Sequence, residues 1–214
     1  MSNISKRLKT ITEFLNKEDS LVDVGCDHGL LSIYLVENKL VNKVIASDVN
    51  SNALSFAITN IEKANLDIET VLSDGIRDID LVGINTLVIA GMGTSTIKHI
   101  LSDNNRLKKI DKIVTQSNND HEMLREFMNS IGYYLDNELY VLDKGKWYVT
   151  SCFIKSSKKN NKAIIKYGLL NNKDYNEYLI SSKEEILDKI PFSSLEAREK
   201  LINEIEDLKR TICK

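Results

Sequence analysis

The chain has 214 residues, 42% of them apolar and only one a proline, enough to bury a core and more in keeping with one domain plus an appendage than with a disordered or fibrous protein. A formal net charge of −2 gives no overall attraction to nucleic acid, and three scattered cysteines, Cys26, Cys152 and Cys213, exclude a CxxC zinc site or a disulfide framework. No run approaches the roughly 18 apolar residues of a membrane span. The start, Met1-Ser-Asn-Ile-Ser-Lys-Arg7, lacks the apolar stretch of a signal peptide, so a cytoplasmic protein is expected, with no membrane partner. His28, His99 and His121 show no ligand-like grouping, and no metal is expected.

A first helix is expected from about Lys6 to Asn16, with Leu8, Ile11, Phe14 and Leu15 on one face. Lys6, Arg7 and Lys9 sit at the unfavourable end of its dipole, which suits cations that face an anion or ones simply solvated. Strand and helix patterns then alternate: strand 20–24, helix 30–38, strand 43–47, helix 52–64, strands 68–72 and 86–90, helix 95–102, strand 112–116, helix 121–131. Such alternation demands a parallel sheet covered by helices on both faces. Strands 135–142 and 147–154 follow without an intervening helix, joined through Lys144-Gly145 as a hairpin. Trp147 in the second of them fits core packing better than stacking on a ligand. The polar segment 156–162 reads as a linker, dividing a domain of residues 1–155 from a helical part of residues 156–214. Tyr175–Ile190 and Leu195–Ile212 read as two helices broken at Pro191, with Ser193 or Ser194 as cap of the second, forming an antiparallel helical hairpin or coiled coil. Its role is open between packing, dimerisation and gripping a macromolecule.

The most informative segment is Ser20-Leu-Val-Asp-Val-Gly-Cys-Asp-His-Gly-Leu-Leu-Ser32, an apolar strand running through a glycine turn into a helix. An acidic residue, Asp48, stands at the tip of the next strand, ahead of Val49 and Asn50. This is how a Rossmann-like sheet holds a nucleoside. A dinucleotide would need a Gly-x-Gly-x-x-Gly turn against its pyrophosphate, whereas this turn has Gly25 and Gly29 separated by Cys26, Asp27 and His28, with Asp23 before it. Carboxylates repel a pyrophosphate and suit a ligand that brings ammonium and sulfonium charges, which is S-adenosyl-L-methionine. Asp48 is then placed for the ribose hydroxyls, and Asp74, followed by Gly75, for the adenine amine. Ala90-Gly91-Met92-Gly93 and Gln116-Ser117-Asn118 end two further strands on the same sheet edge. Cys26 reads as a small packing residue.

Ser5-Lys-Arg-Leu8, Asp23-Val-Gly-Cys-Asp-His-Gly29, Ala90-Gly-Met-Gly93, Gln116-Ser-Asn118 and Lys144-Gly-Lys-Trp-Tyr148 together resemble, in that order, the bacterial tRNA adenine(22)-N1-methyltransferases, the TrmK family. The resemblance spans about residues 5 to 154 and implies a class I methyltransferase, with a Rossmann-like, mostly parallel seven-stranded sheet and a C-terminal α-helical coiled-coil extension. It implies S-adenosyl-L-methionine as cofactor and N1 of adenine 22, in the D arm of tRNA, as target. Asp23, Gly25 and Asp27 would bracket the methionine part, and Gly91 to Gly93 would form a floor between cofactor and base. His28, Gln116 and Asn118 would meet the base, with helix capping an equal alternative for His28. Asp27 is also a candidate for stabilising charge on the methylated base. Lys6, Arg7, Lys144 and Lys146 would hold the RNA backbone. Members of the family often carry an aromatic where this chain has Leu30, and proline where it has Ser117. Two other readings stay open: a methyltransferase of a small molecule or protein, and a non-catalytic RNA-binding module on the same fold. A monomer is expected, with a homodimer through the C-terminal helices as the alternative.

Overall fold

The computed structural model describes residues 4–103 and 105–213, in two compact units, 1–160 and 161–214. In the first unit, Ser20–Val24 forms strand β1 as the sequence predicts, buried along its whole length because its neighbours are strands on both sides and helices above and below. The remaining strands are β2 (Lys43–Asp48), β3 (Glu69–Leu72), β4 (Thr86–Met92), β5 (Lys112–Ser117), β6 (Tyr133–Asp143) and β7 (Lys146–Lys155). They form one sheet in the order β3-β2-β1-β4-β5-β7-β6. Strand order reverses between β1 and β4, which opens a crevice beyond the carboxyl ends of these two strands.

The reversed strand β7 comes last in the chain yet lies inside the sheet, antiparallel to both β5 and β6, and β6 forms the edge. The hairpin turn is Lys144-Gly145, both at positive φ (50° and 77°), the two-residue geometry whose twist matches that of the strands. Helices α1 (Lys6–Thr12), α2 (Leu30–Glu37), α3 (Ser51–Lys63), α4 (Thr94–Ile100) and α5 (His121–Ser130) cover the sheet. A short 3-10 turn, Arg106–Lys109, was not signalled by periodicity.

Helix α1 stops at Thr12, short of the expected Asn16. Asp19 accepts from the Asn16 amide (2.8 Å) and Asn16 Oδ1 from the Glu18 amide (2.9 Å), and such local side-chain bonds compete with a helical ladder. Leu8, Phe14 and Leu15 still pack against the core. A buried ion pair joins α5 to β6: Arg125 Nε donates to Glu138 Oε1 at 2.8 Å, and Glu138 also accepts from Tyr140 and Ser151.

The boundary between units falls five residues beyond the expected one, since the Asn160 amide group bonds both N–H and C=O of Leu135 and so ties residues 156–160 to β6. In the second unit, Lys162–Tyr167 forms a helix, α6, that the sequence did not signal, starting where the expected linker of residues 156–162 ends. Asn161 caps it by accepting from the Ile164 amide, and Gly168 ends it at φ 83°. Helices α7 (Lys173–Lys189) and α8 (Leu195–Ile212) pair through Lys183–Glu204 and Lys209–Glu184. The pair is antiparallel, because Arg198 near the start of α8 reaches the carbonyls that end α7. Ser194 precedes α8 but makes no side-chain cap bond; instead Arg198 donates to the Leu187 and Ile190 carbonyls at the end of α7. Tyr167 donates to Asp207 at 2.6 Å and fastens α6 to α8. No described helix is long and apolar enough to cross a membrane.

Candidate cofactor and substrate site

A cavity of about 410 Å³ opens at the carboxyl ends of β1, β2 and β4. Its wall collects Asp23, Asp27, Asp48 and Asp74, four carboxylates supplied by three different strand ends. Gly25, Cys26, His28, Val49, Gly75, Ala90, Gly91 and Met92 also line it, as the sequence suggested.

Asp48 is held most rigidly. Its Oδ2 accepts from the Asp27 amide (3.0 Å) and its Oδ1 from the Asn50 amide (2.8 Å), so two backbone donors orient the carboxylate and tie the turn after β1 to the tip of β2. Asp27 itself adopts φ 52° and is exposed, 3.6 Å from His28 Nε2. The His28 ring packs obliquely against exposed Phe56 (centroids 5.4 Å apart), so His28 faces outward at the rim and does not cap the next helix.

Gly25 carries two constraints. It sits at φ 75°, and a Cβ there would come within 2.1 Å of the Met92 methyl. The bare backbone therefore lets the turn after β1 lie against the last residue of β4. Gly29, Asn50 and Gly93 support the site from outside the cavity. A Cβ at Gly29 would press on Ala57 of α3, Asn50 caps α3 by accepting from the Asn52 and Ala53 amides, and Gly93 precedes α4.

Asp23 is buried, and burial pushes its carboxyl up to about 6, against the opposing hydrogen bond from Ser32 Oγ (2.7 Å). The unfolded chain ionises near 3.8, so the Asp23 carboxyl on its own makes stability fall as pH rises from there to about 6 and adds no slope above, while His121, pulled down to about 4 by burial, contributes a rise over much of the same range. The Asp23 contribution is on the order of 3 kcal/mol. Asp23→Asn is expected to remove this slope and to raise stability at pH 8. Urea melts between pH 4 and 8 measure both, and an unchanged slope in the variant would contradict the assignment. Burial, with Asp23 and Asp48 nearby, pushes the Cys26 thiol up to about 12. It remains a packing thiol, not a nucleophile.

Gln116 and Asn118 do not line the cavity. Gln116 is fully buried, its Nε2 donating to the Arg7 carbonyl (2.9 Å) and Thr150 Oγ1 (2.7 Å), its Oε1 accepting from Arg7 NH1 (3.1 Å). Asn118 Nδ2 donates to the Gly91 carbonyl (2.7 Å) and its amide to the Met92 carbonyl (2.9 Å), which holds the Gly91–Met92 bulge in shape. Gln116 thus supports the wall from behind, while Asn118 is exposed beside it.

Lys6, Lys144 and Lys146 are exposed, whereas Arg7, grouped with them from sequence, forms part of the cavity wall. Arg7 and Lys146 share one ring, Tyr148, at 5.7 and 5.3 Å from its centroid, so the hairpin turn lies beside α1 near the cavity mouth. Sequence reasoning missed Leu8, Ser73, Thr96, His99 and Ile100 in the wall. His99 lies 3.9 Å and Arg77 3.3 Å from the Asp74 carboxylate. A helix-face histidine seven residues after Met92 carries no motif that would have found it.

The reversed β7 and a carboxylate-lined crevice at the β1/β4 switch define a class I methyltransferase domain, and the family model described as a methyltransferase domain matches residues 4–150. The chain is 30% identical over 148 residues to the tRNA (adenine(22)-N(1))-methyltransferase of Bacillus subtilis, an alignment covering 68% of this chain and 62% of that protein. It thus spans a little under two thirds of that relative. The structure is similar to that of Mycoplasma capricolum TrmK in complex with S-adenosyl-homocysteine (TM-score 0.82, 28% identity, covering 98% of this chain and 97% of the other). It is also similar to an NADB-Rossmann superfamily protein from Streptococcus agalactiae (TM-score 0.88, 26% identity, 98% and 97% covered). The chain belongs to the family of this methyltransferase domain.

Proposed function

We propose that this chain is an S-adenosyl-L-methionine-dependent tRNA methyltransferase acting on N1 of adenine 22 in the D arm, in the cytoplasm. The observation that carries the reading is the convergence of Asp23, Asp27, Asp48 and Asp74 on one cavity at the topological switch. The similarity to the Bacillus subtilis and Mycoplasma capricolum proteins supports the same reading.

The donor set fits the cofactor. Asp23 and Asp27 border the turn where an ammonium and a sulfonium would lie, Asp48 presents a pre-oriented carboxylate to a ribose diol, and Asp74 faces an adenine amine. When bound, the cofactor supplies an electrophilic methyl group on sulfur. The protein's own contribution is placement. N1 of adenine is a neutral lone pair at pH 7, so the reaction needs an aligned approach more than a base. Gly91, pinned by Asn118, keeps backbone rather than side chain between the two halves of the site. Methylation leaves the base cationic, and the exposed Asp27 carboxylate at the rim stabilises that charge. His28 and Phe56 offer a ring surface to a base that has left its stack, a step costing a few kcal/mol. Lys6, Lys144 and Lys146 serve the RNA backbone, a contact that weakens with salt.

The test is methyl transfer from labelled S-adenosyl-L-methionine to unmodified tRNA, run beside protein and metabolite extracts. Transfer to the tRNA alone supports the reading; transfer to the extracts alone would replace it with another methyltransferase activity.

A further inference from the structure

The cavity wall holds four carboxylates but, among the described residues, a single guanidinium or ammonium group, that of Arg7. Arg7 forms no ion pair with any of the four; NH1 instead donates to the neutral Gln116 Oε1. A guanidinium has five N–H donors in a planar fork, so this one bond leaves donors for a second acceptor. Gln116 has no freedom to turn away. Its Nε2 is committed to the Arg7 carbonyl and to Thr150, and Thr150 in turn shares a hydrogen bond with Thr10 (2.7 Å), one turn along α1. The amide therefore clamps both the backbone and the side chain of Arg7. The guanidinium is thereby held over the Gly91 backbone, 3.9 Å from where a Cβ on that glycine would lie.

The S-adenosyl-L-methionine assigned above brings an ammonium, a sulfonium and one carboxylate. Two of these charges match the aspartates, while the carboxylate is repelled by them and needs a cation within the same wall. We infer that Arg7 seats the α-carboxylate of the cofactor and that Gln116 is the positioning residue that aims it. This rests on the cofactor reading above. It also moves Arg7 from the RNA backbone, where its sequence neighbours had placed it, to the small-molecule side of the site. A guanidinium beside the target base would oppose the positive charge that methylation creates, which further disfavours a base contact.

The experiment compares binding of S-adenosyl-L-methionine with that of its decarboxylated form by calorimetry, in wild type, Arg7→Met, Arg7→Lys, Gln116→Met and the Arg7→Met/Gln116→Met double variant. Wild type should prefer the carboxylated ligand by about ten- to hundredfold, the range of a charge-assisted forked pair. Arg7→Met should abolish the preference, Arg7→Lys should restore part of it, and Gln116→Met should reduce it. The double variant should match Arg7→Met, because a residue that acts only through Arg7 adds nothing once Arg7 is gone. Arg7 is half-exposed, so its variants test the idea even if burial makes Gln116→Met unstable. An Arg7→Met protein that keeps the full preference overturns the inference. If the same variant loses affinity for tRNA with a reduced salt slope, Arg7 belongs to an RNA phosphate instead. A wild type that binds neither ligand removes the cofactor reading itself.

Discussion

Asp48→Ala is expected to weaken binding of S-adenosyl-homocysteine by about a hundredfold or more, with little change in melting temperature. The magnitude follows from two charge-assisted bonds to ribose, each worth about 1.5–3 kcal/mol. A further loss comes from the turn. The Asp27 amide, in a left-handed conformation at φ 52°, is held by Asp48 Oδ2, and without it the loop carrying Asp27 and His28 has one fewer anchor to β2. Asp48→Asn should fall between, because the amide keeps one acceptor oxygen and presents a donor where the other stood. Calorimetry with the three proteins measures the series. Equal affinities for wild type and Asp48→Ala would show that the carboxylate orients the turn but does not touch the ligand.

The second large effect is on stability. Glu138 is completely buried and accepts from Arg125 (Nε, 2.8 Å), Tyr140 (2.7 Å) and Ser151 (2.8 Å), and Arg125 is buried beside it. Removing one partner strands the other's charge, so Arg125→Met is expected to cost about 3–5 kcal/mol. Replacing both, as in Arg125→Met/Glu138→Leu, should recover a good part of that loss, because the desolvation of two charges disappears together with their attraction. Urea unfolding of both variants checks the sign of the recovery. A double variant less stable than Arg125→Met would mean that the hydroxyls of Tyr140 and Ser151, left without their acceptor, outweigh the charge.

The parts of this fold that were legible from sequence are those where a single period governs the residue pattern. β1 was readable to the residue because Ser20-Leu-Val-Asp-Val24 is buried on both faces and is followed at once by a glycine turn. The helix α3 was readable because Leu54, Ala57 and Ile61 recur at helical spacing and are the residues it buries. Where side chains bond locally, the pattern misleads. Phe14 and Leu15 extend the apolar stripe of α1, yet the Asn16–Asp19 bonds have already taken the backbone out of the helix, and both residues pack from a turn. The helix α6 was hidden by the lysines and asparagines that run into it, although Asn161 and Gly168 are ordinary start and stop signals once the six residues between them are considered a helix.

The site divides along the same line. The acids and glycines at strand ends could be placed because position on the sheet edge follows from topology. Gln116 could not, since a polar residue at a strand end reads as cavity lining from sequence, and only packing shows that α1 folds over it. Arg7 is the complementary case. One residue from exposed Lys6, it looks like part of a basic surface, and the hydrogen bond from its NH1 to Gln116 is what turns it inward.

The most direct measurement is methyl transfer to an unmodified tRNA transcript with adenine at position 22, followed by mapping of the modified nucleotide. N1-methyladenine at that position, lost when adenine 22 is replaced by guanine, is the predicted result. Cofactor binding with no methyl transferred to any tRNA would contradict it.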